Sequence, residues 1–180
     1  MKEGYILMKK LNSNGQKILK MVHLFFVALW VGGNISAVLL SFMPLIVQDN
    51  TLLGIYLAME FIDYLVIIPG SLGCLITGII YGICTRWGFF KFKWISVKWV
   101  VMIIQMILGA AFLGQSVGSN VNALKTQGLA ALNDQGFIIN QNVIQVLGIV
   151  QSVLLIILIG ISIFKPWKVT KVDNSNVSGT

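Results

Sequence analysis

The sequence predicts an all-α integral membrane protein, a four-helix bundle with its N- and C-termini on the cytoplasmic side, and three observations lead there. Of its 180 residues 57% are hydrophobic and 11% charged, more apolar surface than one soluble core of this size can hide. The apolar residues gather into four runs, 21–47, 61–85, 95–117 and 143–164, each close to or above the ~20 residues that carry a helix across a bilayer. The cations flank alternate ends of these runs: Lys2, Lys9, Lys10, Lys17 and Lys20 precede the first, Arg86, Lys91 and Lys93 separate the second from the third, and Lys165, Lys168 and Lys171 follow the fourth. By the positive-inside rule these segments are cytoplasmic, while Asp49, Glu60 and Asp134 are outside and Asp63 is near that outer surface. The net charge of +7 is therefore a topology signal, and no separate basic domain suggests a nucleic-acid partner. The runs also lack the ten-residue alternation of a membrane β-barrel.

Residues 1–170 read as one transmembrane domain in the cell membrane, followed by a disordered cytoplasmic tail, 171–180, ending in Asn-Ser-Asn-Val-Ser-Gly-Thr. The first run is too long for a signal peptide and lacks a small-residue cleavage site, so it is expected to be retained. Ser13 or Asn14 in the turn-like Asn12-Ser13-Asn14-Gly15 is the expected cap of the first helix. The second helix carries small residues at every fourth position, Gly70, Cys74, Gly78 and Gly82, a row that admits a neighbouring helix or a flat ligand. Pro69 is expected to kink or interrupt it near its outer end. Between the second and third helices, Trp87-Gly88-Phe89-Phe90-Lys91-Phe92-Lys93-Trp94 reads as an interfacial aromatic belt. The loop 118–142 is polar but has an apolar pattern at Leu124, Leu129 and Leu132, which suggests a short surface helix. Cys74 and Cys84 are ten residues apart on one helix, about 15 Å, too far for a disulfide.

His23, the single histidine, stands three residues beyond Lys20. Trp30 and Asn34 follow seven and eleven residues later, within about 20° of the same helical face, and a polar stripe on a membrane helix is expected to face the bundle. On the third helix, which runs in the same direction, Lys98 enters at a depth similar to that of His23. Ionisable groups in membrane helices raise a functional hypothesis; the plainer alternatives are a snorkelling lysine and a neutral histidine bonded to a carbonyl. Both residues lie near helix N-termini, whose dipoles favour an anion such as a carboxylate. Met102 and Met106 with Cys74 offer soft ligands for Cu(I), or simply fill the core. Gln105, Gln115, Gln145 and Gln151 read as interhelical hydrogen-bonding groups. The chain has no phosphate-binding loop, dinucleotide fingerprint, zinc motif or hydrolytic triad.

The segments Lys20-Met-Val-His23, Ala28-Leu-Trp30-Val-Gly32-Gly33, Pro69-Gly70, Thr77-Gly78 and Trp94-Ile-Ser-Val-Lys98 together resemble small bacterial four-helix membrane proteins of unknown function. That group is distantly similar to the membrane domain of copper-resistance protein D and to the membrane-embedded protoporphyrinogen oxidase, in which a histidine of the first helix and a lysine of the third are the essential polar residues and b-type haem is associated. The resemblance implies a haem- or porphyrin-binding protein, with room for redox activity, in which His23 is an iron ligand or active-site residue and Lys98 lies beside a propionate; Trp30 and Asn34, on the His23 face of the first helix, are read as lining the same site. The oxidase family's arginine late in the first helix and its further histidines have no counterpart here, so bis-histidine ligation would need a second copy in a homo-oligomer. The alternative from another class is a non-catalytic membrane partner or a carrier of a small solute or copper, without haem. Whether the chain is an enzyme is left open by its residues.

Overall fold

A computed structural model describes residues 11–47, 49–84 and 93–164, with Lys93 and Trp94 described for their backbone alone. The expected aromatic belt, Arg86 and the tail therefore lie outside the described residues, Lys93 and Trp94 contributing only helical backbone. Among the described residues six helices run α1 (Ser13–Leu40), α2 (Thr51–Ile62), α3 (Ile68–Cys84), α4 (Lys93–Leu108), α5 (Gly114–Gln127) and α6 (Gln135–Phe164). A π-helical turn at Asp63–Ile67 joins α2 to α3, another at Gly109–Leu113 joins α4 to α5, and a 3-10 segment at Gly128–Asn133 leads from α5 to α6. The described residues thus make four long rods, Ser13–Leu45, Thr51–Cys84, Ile95–Asn133 and Gln135–Phe164, each long and apolar enough to cross a membrane.

Local chemistry sets the boundaries. Asn12, rather than Ser13 or Asn14, caps α1, its side-chain oxygen accepting the Gly15 amide at 2.8 Å. At the start of α2 the Asp49 carboxylate accepts the Thr51 amide at 2.8 Å. Hydrogen bonds from the Thr51 hydroxyl and amide hold this exposed carboxyl below its usual range. Pro69 leaves the long helix continuous but widens it. Proline has no amide proton and crowds the carbonyl four residues back, and the turn before it is π-helical, with the Ile68 amide reaching the Asp63 carbonyl. The second widened turn contains no proline; it runs from Gly109 to Leu113, and the Gly114 amide bonds the Gly109 carbonyl. Gly128, at φ 58°, ends α5 in a backbone region that favours glycine. Instead of a loop with a short surface helix, 118–142 is helical over nearly all its length.

Packing differs along the rods. The end carrying Leu11, Cys84, Lys93 and Phe164 is called the basic end; there the Leu11 amide donates to the Cys84 carbonyl at 3.1 Å. At the opposite, acidic end, Leu52, Tyr56, Met59, Val117, Val121, Leu124, Ala131, Phe137 and Ile144 form a well-buried core. Polar bonds tie it together. Tyr56 donates to the Gln141 side chain, Gln141 donates to the Ser41 carbonyl, and Gln145 reaches the same carbonyl at 3.1 Å. Towards the basic end the buried cluster shrinks to Trp30, Cys74 and Leu155, with Phe26, Val27, Val31, Ile67, Met102 and Met106 around it. Here large apolar side chains point outward on every rod, among them Phe25, Ile76, Val100, Ile104, Val153 and Ile157. A core that thins while apolar surface stays exposed is the arrangement expected when lipid is the solvent.

The row of small residues on α3 serves helix packing. A Cβ on Gly70 would meet the Trp30 nitrogen at 2.8 Å, and one on Gly78 would meet the Trp99 ring at 3.5 Å. Cys74, between them, is buried. Gly33 on α1 similarly receives Val66 and Ile67 of the first π turn.

Candidate functional site

His23 sits on α1 towards the basic end, half-buried against α3. Its Nδ1 lies 2.7 Å from the Thr77 hydroxyl oxygen. That hydroxyl has one proton, which it directs to the Gly73 carbonyl at 2.6 Å, with a longer approach to the Cys74 carbonyl at 3.2 Å. The neutral histidine is therefore the donor in the bond to Thr77: its proton is on Nδ1 and its lone pair on Nε2. Tyr81 fixes the ring from the next turn of α3, edge-on at 6.1 Å and 77°. The Tyr81 hydroxyl itself donates to the Gln16 carbonyl of α1 at 3.3 Å.

Lys98 on α4 is half-buried and donates to the Ser162 hydroxyl of α6 at 3.0 Å. It is also within electrostatic range of His23 and Cys74. Four helices thus contribute to one polar group at the basic end: α1 through His23, α3 through Thr77 and Tyr81, α4 through Lys98, and α6 through Ser162. The described carboxylates, Asp49, Glu60, Asp63 and Asp134, all belong to elements nearer the acidic end. A positive group beside a histidine lone pair suits a ligand with both a metal centre and an acidic arm, or a simple anion.

The expected stripe His23, Trp30, Asn34 divides in two. Trp30, 5% exposed, belongs to the apolar cluster with Cys74 and Leu155 and separates the polar residues on either side. Asn34 lines a second polar place about 16 Å from His23 along the helix, a cavity shared with Asp63, Gly109, Gly148 and Gln151. Of the expected interhelical glutamines, Gln145 bonds Ser41 and Gln151 bonds the Gln105 carbonyl at 3.0 Å, whereas Gln115 is exposed. Met102 and Met106 pack at the edge of the Trp30 cluster near Cys74. Among the described residues no group of three His, Cys, Asp or Glu side chains could hold a metal ion.

Sequence reasoning passed over Thr77 and Ser162 as partners of the two charged or titratable groups. Thr77 was visible in the motif Thr77-Gly78 as a hydroxyl amid small apolar residues, able to bond across to α1. Ser162, four residues before Pro166, had no such signal. No family model, curated protein or solved structure matches this chain.

Proposed function

We propose that the chain is a multi-pass membrane protein, with its basic end in the cytoplasm, that holds a haem or porphyrin at that end through His23 and Lys98. The observation that carries the reading is the His23–Thr77–Gly73 relay of hydrogen bonds. Histidines that bind metals usually donate their other ring N–H to a fixed acceptor, which sets the tautomer and aims the free nitrogen. Here the acceptor is Thr77 and the free nitrogen is Nε2. The donor chemistry suits iron, and the Lys98 ammonium suits a propionate. Haem, when bound, would supply one-electron redox chemistry; the chain would contribute the nitrogen of His23 and the cation of Lys98. The cavity around Asn34 and Asp63 lies elsewhere, so on this reading a tetrapyrrole would sit at the bundle surface beside half-buried His23, and any second histidine would come from another copy.

Absorption spectroscopy on protein purified in detergent after growth with ample haem tests this reading. A Soret band that His23→Ala abolishes or shifts, with the variant's circular dichroism unchanged, is the expected result. A colourless protein that also fails to take up added haem, or a band indifferent to His23→Ala, would sink the assignment. The membrane orientation has its own test. In a Cys84→Ser background, a cysteine at exposed Asn133 should react with an impermeant maleimide applied to intact cells, and one at exposed Lys17 should not. The reverse pattern would invert the topology.

A second reading, a carrier without haem, is favoured by one feature: the cavity between the rods, apolar-walled but with Asn34, Asp63 and Gln151 on its lining.

A further inference from the structure

The two π-helical turns belong to different rods and face one cavity. Together they border a cavity of about 50 Å³ lined by Asn34, Asp63, Gly109, Gly114, Gly148 and Gln151 with apolar neighbours. That volume holds one or two waters or one small ion. Among the described residues Asp63 is the single ionisable side chain lining it. The elements packed around it contribute Asn34, Ala37 and Val38 from α1, Met59 from α2, Val117 from α5, and Ile144 and Gly148 from α6, none of which titrates. Glu60, the adjacent ionisable residue, faces Gly118 of α5 instead, 4.0 Å from where a Cβ there would stand. Gly114 leaves room for the carboxylate, since a Cβ there would come within 3.3 Å of Asp63 Oδ2.

The second observation is independent of the acid. Asn34 is 3% exposed and lines the cavity, and its Nδ2 has no hydrogen-bond partner among the described residues. Buried amides are ordinarily bonded, and one left over beside a cavity that also holds a carboxylate marks a place for a ligand or water. The amide can present either its nitrogen or its oxygen by rotation about its last bond. A π turn further shifts the hydrogen bonds from four- to five-residue spacing, which withdraws the usual donor from a backbone carbonyl; such turns gather at functional sites. Carbonyls at irregular helix turns and a nearby carboxylate are the oxygens that hold monovalent cations in membrane proteins.

A carboxylate between apolar rods with no cationic side chain lining its cavity is neutralised either by a proton or by a bound cation. We propose that Asp63, with Asn34 and the widened backbone turns, forms an exchangeable site for one small monovalent cation, a proton or a sodium ion. Both neutralise the same carboxylate, and they exclude one another.

The test uses the full chain in detergent, treated with the apolar reagent dicyclohexylcarbodiimide, which modifies protonated carboxyl groups in apolar surroundings, and the adduct is located by peptide mass spectrometry. Over a series from about pH 5 to 9 the expected adduct is on Asp63, and its formation should fall about tenfold per pH unit once the site has begun to lose its proton. Suppression by sodium chloride but not by potassium chloride at equal ionic strength assigns sodium. Dependence on pH with no difference between the salts assigns the proton. Asp63→Asn should lose the adduct and Glu60→Gln should keep it. Because the modified peptide is identified in the wild type, the result stands even if a variant folds poorly. No modification of Asp63 at any pH in that range, or modification indifferent to pH and to both salts, would overturn the proposal. The outcome is independent of haem, so it cannot be confused with failure of the His23 reading.

Discussion

Adding one methyl group to α3 measures how closely α1 and α3 approach. In Gly70→Ala the new Cβ would lie 2.8 Å from the Trp30 nitrogen, 3.1 Å from its Cα and 3.2 Å from the Phe26 carbonyl. All three are backbone atoms and cannot rotate away, so α1 must move as a body. Overpacking of this kind costs about 1–3 kcal/mol, against which alanine regains up to ~1 kcal/mol over glycine in helix propensity. Gly32→Ala supplies the reference, because no atom lies within 4 Å of the Cβ it adds. Comparing the two variants cancels the propensity term and leaves the steric cost alone. The Gly70 variant should therefore melt below the Gly32 variant by about 1–3 kcal/mol, or roughly 3 to 10 °C for a chain of this size. Thermal unfolding in one detergent, followed by circular dichroism, reads the difference. Equal melting temperatures would mean that the helices are not in backbone contact at Gly70, and the packing account of the small-residue row would fail.

Thr77→Val removes the acceptor that holds His23 and frees its ring to change tautomer, so haem affinity should drop about 10-fold or more with the helical content unchanged; unaltered affinity would remove Thr77 from the site. Gln141→Leu takes away the bridge between Tyr56 and Ser41 and leaves a buried hydroxyl to find a new partner, a loss of about 1–3 kcal/mol visible as a lower melting temperature; a variant as stable as wild type would contradict it. Asp49→Ala deletes a hydrogen-bonded carboxylate whose pKa is lowered on folding, so the stability it contributes is present above the unfolded value and fades as pH falls through the folded one. The melting-temperature gap between wild type and Asp49→Ala should accordingly be clear near neutral pH and close below about pH 4; a gap that persists in acid would point to another cause.

The four rods were legible because each apolar run is longer than any soluble helix of this composition needs, and the helix-breaking residues between them are few. The outward extent of the rods was not. Residues Gly114–Gln127 look like loop because they are polar, yet polarity and helicity are compatible once the helix leaves the apolar layer and packs its Val117, Val121 and Leu124 face against α2 and α6. Pro69 correctly marked a perturbed turn, but not its form, since a lost hydrogen bond can be met by a kink, a break or a widened turn. The polar stripe of α1 was visible as a period, whereas its division depended on Trp30 meeting Cys74 and Leu155 from two other helices, contacts that no single helix encodes. Asp63 was placed near the outer surface from its neighbourhood in sequence; the cavity it lines is visible only once both π turns are seen to face it.

That division bears on the choice between holding a cofactor and moving a solute. His23 and Lys98 serve the basic end, Asn34 and Asp63 the cavity nearer the acidic end, and Trp30 stands between them at 5% exposure with Leu155 and Cys74 against it. Water cannot bridge the two polar places through packed apolar side chains. A carrier would have to open this seal, and Gly70 and Gly33 make that costly, because α1 is seated directly on the backbone of α3 and on the first π turn. A protein that holds a group at one end, and binds a cation at the other as part of its resting structure, needs no such opening. The packing at Trp30 therefore favours holding over carrying. A Trp30→Ala variant that admitted sodium-dependent protection of Asp63 from the basic face of oriented vesicles, where the wild type shows none, would locate the seal in that one side chain.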